Sequence, residues 1–513
     1  MKYFQFFIIV ISSILLQTCK TENANVIITE ETPWGTEQFR LPVFNEKQFP
    51  ITGYGAKTGS AINNQTAIQA AIDDCNSKKG GSVIIPEGTW KTSFITLKSN
   101  VNLHLEKGAV LLFIDDFELY KVPTFTRWEG IECMNYHPLI YAKDAENIAI
   151  TGEGKIDGNG KKWWKLREHQ IESLSKLYDK VQANVAPENR NCLNFKPTSY
   201  LRPSLIQTVN CKNVLVKGVE INSGPMWTVH FVYSENVVAR NLKIVTSGSN
   251  NDGITPDACK KVLIDNCSFS TGDDCIVIKS GLNEDGWRVG KASQRIIIKN
   301  CHTKTGHGGV VIGSEMSGGV KNIYAHDCDF SGTLIGVRVK SMKGRGGIVE
   351  NLWFKNIRMD SIKQEAIRIN MHYGASSIAP RTTKLPVFRN FHFENINTSF
   401  SKNCIQIKGI HEQKIENLTF KNIKMKGESG VTMENANNCS FESVTIESVL
   451  TEPLKITFSE NINFSQSVLK SQFGTMVVIK DNCKSINLGG TNINGLKNGV
   501  VVTNSEQSEI TFK

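Results

Sequence analysis

The stretch Lys212-Asn213-Val214-Leu215-Val216 decides the fold, because its pattern returns along most of the chain. Each copy places polar residues, most often with asparagine second, before a short aliphatic run. The asparagine or its substitute recurs at Asn147, Asn236, Lys261, Arg295, Asn322, Asn351, Asn390, Asn417, Asn438, Asn461 and Ser485. The spacing from 213 to 236, from 236 to 261 and from 295 to 322 leaves room for three short strands with turns. Self-similarity at this period predicts an all-β parallel β-helix, in which each coil buries its inner face on its neighbours.

One column of residues tests the predicted coils. The fifth residue after each unit's first aliphatic position is apolar throughout, as an interior ladder requires: Val219, Leu242, Cys267, Cys301, Cys328, Ile357, Ile396, Ile423 and Val444. We interpret most of the 13 cysteines as small buried hydrophobic residues. An even number remains when Cys19 is set aside, so a disulfide outside the ladder stays open. No Cys-x-x-Cys or histidine-rich spacing indicates a metal, and no cofactor is expected.

A helix is predicted before the coils. Ile68, Ala71, Ile72 and Cys75 fall at helical spacing, and Asn64 is a candidate N-cap. A short helix at this point would cover the exposed first edge of a β-stack. Residues 20–50 show no strong period and are interpreted as a lead-in, and residues 51–513 as the β-helix domain.

Residues 1–19 are typical of an export signal. Lys2 supplies the positive end, and residues 4–16 form an apolar run too short to span a bilayer comfortably. The ending Leu16-Gln17-Thr18-Cys19 resembles a bacterial lipobox, although Thr18 stands where Gly, Ala or Ser is usual. We therefore predict an exported protein, located in a bacterial periplasm, at the outer membrane or cell surface as a lipoprotein, or secreted. Cys19 is the candidate for lipidation.

The net charge of +10 fits an anionic partner, such as nucleic acid, an anionic membrane or an acidic polymer. A lysine-coated surface without a partner gives the same charge. Four intervals exceed the repeat and indicate insertions near 113–137, 161–202, 281–293 and 371–386. They carry Trp128, Trp163 and Trp164, which could stack on sugar rings, although packing of the loop itself is the more frequent use of such residues.

Acids, a histidine and two cations recur in the coils between residues 250 and 340. Alignment of the strands places Asp252 and Asp274 in one column and Asp273 and His307 in the next, on coils ~4.8 Å apart. Residue alternation predicts that four side chains share the outer face: Asp273, His307, Arg338 and Lys340.

Three carboxylates on neighbouring coils cannot all keep ordinary pKa values, because like charges raise the pKa of at least one. A proton donor then lies beside ionised acceptors, as glycoside hydrolysis requires. Arg338 and Lys340 add positive charge that a carboxylated sugar would satisfy. Each motif alone is weak, since an Asp pair after glycine is usually a turn, and the hypothesis depends on their combination on adjacent coils.

The motifs resemble those of the polygalacturonases of glycoside hydrolase family 28. The family's Asn-Thr-Asp, Gly-Asp-Asp, Gly-His-Gly and Arg-Ile-Lys motifs are matched here by Asn250-Asn251-Asp252, Gly272-Asp273-Asp274, Gly306-His307-Gly308 and Arg338-Val339-Lys340. By motif, the similarity covers residues 53–373. It implies a right-handed single-stranded parallel β-helix and hydrolysis of α-1,4-galacturonosyl linkages in pectin.

The resemblance also implies a role for each site residue. Asp273 would be the general acid of an inverting hydrolysis, while Asp252 and Asp274 would hold the attacking water. His307 would support the acid electrostatically. The expected substrate-binding residues are Asn250, Arg338, Lys340 and Tyr373, the last as the match for a tyrosine that follows the family's Arg-Ile-Lys motif.

The place of cleavage is predicted from the loops. Residues 225–230 resemble bacterial exo-acting members, and the 281–293 insertion must emerge near the catalytic columns. We therefore expect exo cleavage that releases mono- or digalacturonate from the non-reducing end. If the loops instead pack away from the groove, cleavage is internal.

Competing predictions come from other classes. They are a hydrolase of rhamnogalacturonan or xylogalacturonan, a β-helical polysaccharide lyase, and a glycan-binding surface protein. The Gly-His-Gly motif argues against a rhamnogalacturonan hydrolase, and a lyase typically pairs calcium with a basic residue. The expected partner is an anionic pectic polysaccharide or oligogalacturonide, and no nucleic acid. A membrane is expected only through an N-terminal lipid, and the chain is expected to be a monomer.

Overall fold

The computed structural model describes residues 26–59, 62–374, 381–474, 476–493, 496, 499–505 and 509–511. The predicted export signal of residues 1–19, with the lipidation candidate Cys19, lies outside the described residues. In the described part of the chain, no helix has the length and the apolar character needed to cross a membrane.

The chain winds as a right-handed parallel β-helix with three strands in most coils. In one coil, Ile206–Val209 is followed by Lys212–Lys217 and Glu220–Asn222, and the next coil begins with Val229–Val232. The first and last of these strands pair in parallel, with Val229 opposite Ile206. Repetition of this step stacks the strands into three parallel sheets, which we call the first, second and third sheet in that order.

Each sheet runs the length of the molecule. The first sheet contains Ile95–Thr96, Ile140–Lys143, Ile206–Val209, Val229–Val232, Ile254–Asp257, Ile276–Ile278, Thr333–Lys340, Ile362–Asn370, Leu454–Thr457, Val477–Lys480 and Val500–Thr503. The second contains Gln48–Pro50, Gly81–Ile85, Val101–Leu105, Glu146–Gly152, Lys212–Lys217, Glu235–Arg240, Lys260–Asp265, Ser293–Lys299, Glu460–Ser465, Lys484–Asn487 and Ile510–Thr511. The third contains Gly88–Thr92, Ala109–Phe113, Lys155–Asp157, Glu220–Asn222, Lys243–Val245, Ser268–Ser270, Ser467–Ser471 and Thr491–Asn492. Six longer strands continue around corners between sheets: His302–Ile312, Val320–Ser331, Ile348–Asp360, Val387–Lys408, Ile415–Glu434 and Ala436–Ser448.

The repeated asparagine has a structural cause. Asn213, Asn236 and Asn417 have φ angles of 53°, 55° and 57°, in the left-handed region that asparagine tolerates better than most residues. Their side chains also bond between coils, since the Asn236 amide donates to Asn213 Oδ1 at 2.8 Å. Where asparagine occupies this position, it both allows the left-handed backbone at the start of the second-sheet strand and links that strand to the neighbouring coil.

The predicted interior column is confirmed, because all nine of its members are buried in the main core. The cysteine interpretation is also confirmed for the described residues: all twelve cysteines from Cys75 to Cys483 are free and buried. The disulfide that the sequence left open is thus absent from this part of the chain.

The predicted helix covers the first coil. Gln65–Ser77 buries Ile68, Ala71, Ile72 and Cys75, as expected. Asn64 occupies the N-cap position, but its side chain makes no capping bond. Its amide instead donates to the carbonyls of Lys57 and Lys91, so it ties the loop before the helix to the first coil.

The lead-in segment contains an antiparallel hairpin that the sequence did not predict. Its strands, Ile27–Thr32 and Gly35–Arg40, lie on the outer face of the second sheet. Phe39 shares one core cluster there with outward-facing aliphatic residues of five coils: Ala149, Leu215, Val238, Leu263 and Ile297. Because the hairpin covers the outer face, both faces of those strands are buried. This explains why the early units contain three consecutive aliphatic residues.

The insertions form a second packed layer. The first contains the 3₁₀ turn Phe117–Tyr120 and the antiparallel strands Thr124–Trp128 and Ile131–Asn135. The second contains the short helices Lys161–Trp164, Lys165–His169, Pro187–Asn189 and Cys192–Asn194 around the helix Gln170–Gln182, and the third contains Asn283–Val289. A last 3₁₀ turn, Ile51–Tyr54, precedes the capping helix. Leu174, Leu177 and Trp128 from the insertions share one core cluster with Met226 and Trp227 of the coil beneath. The insertions thus roof the first sheet at that coil.

Candidate active site

A cavity of about 250 Å³ opens on the outer face of the first sheet, beside this roof. All eight residues that the sequence predicted for the site line it: Asn250, Asp252, Asp273, Asp274, His307, Arg338, Lys340 and Tyr373. The predicted columns are confirmed by the strand register, which places Ile254 opposite Ile276 and Ile276 opposite Val310. The backbone N–H of His307 donates to the carbonyl of Asp273 at 2.9 Å, so these two residues are direct neighbours.

Asp273 is held through one of its two carboxylate oxygens. Its Oδ1 accepts hydrogen bonds from His307 Nδ1 at 2.9 Å and from the backbone N–H of Asp274 at 3.0 Å. Within the described residues, Oδ2 has no hydrogen-bond partner. The carboxylate is therefore oriented by its neighbours while one oxygen stays available to a ligand.

The other two acids each face a buried lysine. Lys340 Nζ lies 2.8 Å from Asp274 Oδ2, and both side chains are almost fully buried. Lys279 Nζ lies 3.8 Å from Asp252 Oδ2 and 2.6 Å from Glu315 Oε2. Asp274 Oδ1 is buried and, within the described residues, has no partner. Asp273 and Asp274 thus both line the cavity, and each has one carboxylate oxygen without a hydrogen-bond partner among the described residues.

The pKa values of Asp252 and Asp273 are shifted in opposite directions, and the sequence predicted that at least one acid of the cluster would have a raised pKa. Burial and the nearby charge of Asp273 raise the pKa of Asp252 well above its ordinary value. Burial also opposes ionisation of Asp273, but the hydrogen bond and charge of His307, with Lys340, lower its pKa to about 2. The same bond raises the pKa of His307. Burial and like charge thus favour the protonated form of Asp252, whereas the bond to His307 favours the charged form of Asp273.

The cations differ in exposure, which corrects one expectation. Arg338 is partly exposed and its guanidinium lies 5.4 Å from the centre of the Tyr373 ring. The sequence placed Lys340 on the outer face, where an apolar substitution would leave no buried charge. It is only 6% exposed, and its removal would leave Asp274 buried without a countercharge. Lys340 thus takes part in the charge balance of the acids as well as lining the cavity.

Asn250 connects the cavity to the roof. Its Oδ1 accepts hydrogen bonds from Arg202 Nη2 at 3.0 Å and from Gln170 Nε2 at 3.5 Å. Asn251, which stands where the family motif has threonine, is fully buried and bonds the carbonyls of Gly224 and Met226. The second insertion is therefore fixed directly to the loop that carries Asp252.

Comparison with known proteins identifies the family. Residues 188–445 match the model for glycosyl hydrolases family 28. The fold is similar to that of a hyperthermoactive exopolygalacturonase from Thermotoga maritima, with 34% sequence identity, a TM-score of 0.75, and coverage of 84% of this chain and 94% of that one. The chain belongs to glycosyl hydrolase family 28.

Other family 28 relatives differ in the cleavage that their names describe. An exo-poly-alpha-D-galacturonosidase of Dickeya chrysanthemi is 27% identical, over 79% of this chain and 71% of its own length. An endo-polygalacturonase of Pectobacterium parmentieri is 26% identical, over 77% of this chain and 91% of its own. Membership of the family makes this protein a glycoside hydrolase, and the lyase and glycan-binding alternatives are not favoured.

The family 28 cavity also contains residues that the sequence reasoning missed: Glu129, Arg167, Trp227, Lys279 and Glu315. Lys279 was detectable, because it aligns two coils before Lys340 on the same outward parity. Glu129 and Arg167 carry no such signal, since they come from insertions without a repeat. The insertion tryptophans are mainly structural: Trp128 is 3% exposed and Trp163 is fully buried, so packing is their use.

Proposed function

We propose that the protein hydrolyses the α-1,4 linkages of polygalacturonate, with inversion, and releases mono- or digalacturonate from the non-reducing end. One observation carries this proposal. Asp252, Asp273 and Asp274 line one cavity together with Arg338 and the buried Lys279 and Lys340, and the insertions cover one side of that cavity. The acids can catalyse hydrolysis of a glycosidic bond, and the cations can bind the carboxylate of a uronic acid.

Asp273 acts as the general acid. Its free oxygen protonates the leaving glycosidic oxygen while the bond from that oxygen to the anomeric carbon breaks. Asp273 must gain its proton when substrate binds, because its pKa in the free protein is about 2. A uronate carboxylate adds negative charge and excludes water, and both effects raise the pKa of a neighbouring carboxyl.

Asp274 and Asp252 hold the attacking water. Asp274 lines the cavity in an ion pair with Lys340, so it accepts the proton of the water as the water oxygen bonds to the anomeric carbon. Asp252 keeps its proton and positions the same water by a hydrogen bond. Each step is balanced, since one proton leaves Asp273 and one arrives at Asp274.

The roof supports exo action. The insertions cover one side of the cavity, which suits a chain end better than a passing polymer. The first sheet continues past Arg338 with partly exposed polar side chains, including Arg368, Gln406 and Lys408. The rest of the polymer leaves in that direction.

Product analysis tests both parts of the proposal. With polygalacturonate, we expect a slow fall in viscosity for each reducing end formed, and short products without a ladder of intermediates. An early steep fall in viscosity with a ladder of oligomers would establish internal cleavage and defeat the exo assignment. Products that absorb in the ultraviolet would indicate a lyase instead.

We also propose that the chain is exported, on the strength of Lys2 and the apolar run at residues 4–16. Expression of the full chain with Cys19→Ser tests the lipidation part. If Cys19 carries a lipid, the wild type partitions with membranes and the variant does not. Equal partitioning of the two would remove Cys19 as an anchor.

A further inference from the structure

The tip of the first insertion reaches into the cavity. The strands Thr124–Trp128 and Ile131–Asn135 are joined by the two-residue turn Glu129-Gly130, with φ angles of 40° and 81°. Such left-handed pairs suit a tight hairpin turn, but glutamate is an uncommon residue in the first position. Glu129 therefore has a strained backbone conformation at the point where the turn lines the cavity.

The hairpin is held rigidly. Arg127 Nη1 donates to Asp257 Oδ1 at 2.8 Å, and both side chains are fully buried. The Gly130 carbonyl accepts from Leu282 N at 3.0 Å, and a Cβ on Gly130 would approach that nitrogen to 2.7 Å. The position of Glu129 is thus fixed by the hairpin base and by the third insertion.

Glu129 is buried without an ion pair. Glu129 is 7% exposed, and within the described residues its one side-chain hydrogen bond comes from Gln170 Nε2 at 3.0 Å. No cation of the described residues lies within ion-pair distance of it. Burial, followed by the charge of Glu315, raises the pKa of Glu129 to about 7. If Glu129 only anchored the roof, a neutral residue could do so with a smaller desolvation penalty.

Arg167 lies at the same cavity and is also unpaired. It comes from the short helix Lys165–His169 of the second insertion and is partly exposed. Among the described residues its guanidinium makes no ion pair and no hydrogen bond. The roofed side of the cavity therefore presents a buried acceptor and a free cation, both on insertions rather than on the coils.

We propose that Glu129 and Arg167 recognise the non-reducing terminal galacturonate. Glu129 accepts a hydrogen bond from its C4 hydroxyl, and Arg167 binds its carboxylate. This inference rests on the proposed hydrolysis. Only the terminal residue has a free hydroxyl at C4, because that oxygen forms the linkage in every internal residue. A buried acceptor aimed at this position makes a chain end the preferred ligand, since a site built to bond a hydroxyl rejects ligands that lack it.

Two trimers test the proposal: ordinary trigalacturonate, and trigalacturonate with a 4,5-unsaturated non-reducing end, which has no C4 hydroxyl. The wild type should prefer the ordinary trimer by ~10²-fold or more in kcat/KM. Glu129→Leu should bring this preference close to one, by losing activity on the ordinary trimer alone. Arg167→Leu should weaken both trimers equally, since both carry the carboxylate.

Two further variants keep the test decisive. Glu129→Gln retains the side-chain shape and should lower the preference for the ordinary trimer by a smaller factor. It therefore tests the role of Glu129 even if Glu129→Leu fails to fold. Glu168→Leu, the same kind of change at an exposed neighbour of Arg167, should alter nothing. An unchanged preference in Glu129→Gln and Glu129→Leu would overturn the inference. Failure of the wild type to cleave either trimer would instead overturn the proposed function.

Discussion

The coils that carry the cavity and the coils that follow them share one repeat but differ on the outside. In the later coils, Val387–Lys408 and Ile415–Glu434 run through all three sheets without an insertion. Their interior holds a ladder of stacked rings with centres 5.0, 4.8, 4.5 and 4.2 Å apart: Phe354, Phe393, Phe420, Phe441 and Phe464. The cavity coils instead bury carboxylates and lysines under a roof. The later coils therefore maximise apolar burial, while the cavity coils give up stability for chemistry.

The outer face of the second sheet shows the same contrast. Its outward column is aliphatic beneath the N-terminal hairpin and ends with Ile297. The register continues it as the aromatic Tyr324 and Trp353, the second with its ring centre 5.6 Å from that of Trp34 in the hairpin turn, and then as His392, Thr419 and Ser440. The polarity of the side chain at this repeat position thus indicates whether another segment covers it. A column that changes from aliphatic to polar marks the edge of a covering element.

The largest effect should come from Asp273→Asn. An amide cannot give a proton to the leaving oxygen, and loss of a general acid typically lowers the rate by 10²–10⁴-fold. The matched control is Asp329→Asn on the third sheet, which should leave the rate on trigalacturonate unchanged. Circular dichroism should show the same fold for both variants. A rate for Asp273→Asn above about a tenth of wild type would contradict its role as the acid.

Lys340→Met and Arg338→Leu should separate charge balance from binding. Lys340→Met leaves Asp274 buried without its cation, so we expect a loss of ~3–5 kcal/mol in the free energy of unfolding. Arg338→Leu removes a partly exposed cation, so it should raise KM with little change in stability. Chemical denaturation and steady-state kinetics measure the two effects. Equal stability of the two variants would show that the Lys340–Asp274 pair does not support the cavity coils.

Much of this contrast could be predicted from the sequence, because the coils are periodic. The spacing of Val219, Cys267 and Ile357 indicated the interior, and the same alignment brought Asp273 beside His307. Cover by segments distant in sequence could not be predicted. Phe39 and Glu129 reach their positions through contacts with no counterpart in neighbouring units.

Phe420→Ala should test the stability of the later coils. The ring is buried and stacked on two others, and removal of such a side chain typically costs ~3–5 kcal/mol. The folded variant should keep its kcat, since Phe420 lies far from the cavity along the chain of coils. Phe400→Ala, the same change at a residue 39% exposed, is the control and should have little effect. A lower kcat in folded Phe420→Ala would show that the two regions are coupled.

His307→Gln should alter the pH dependence. The pKa of His307 is raised by its bond to Asp273, so the pair keeps one proton until the pH rises through that raised value. Activity that needs this proton falls as it is lost. In the variant only the Asp273 carboxyl can hold this proton, and a carboxyl loses its proton at lower pH than a histidine. The alkaline limb of kcat should therefore move to lower pH, by ~1 unit or more. An unmoved limb would show that His307 does not share the catalytic proton.

The smallest effect should come from the corner of a later coil. Asn417 has a φ of 57°, and its side chain donates to Asn390 Oδ1 at 3.0 Å. Asn417→Gly and Asn417→Ala both lose this bond, but only alanine is strained in the left-handed region, by ~1–2 kcal/mol. The glycine variant should therefore be the more stable of the two by about 1 kcal/mol in chemical denaturation. At exposed Asn397, which has no such φ, the order should reverse, because glycine weakens a strand. If alanine were the better residue at both positions, the corners would not be set by backbone conformation, and the repeated asparagine would owe its place to the side-chain ladder alone.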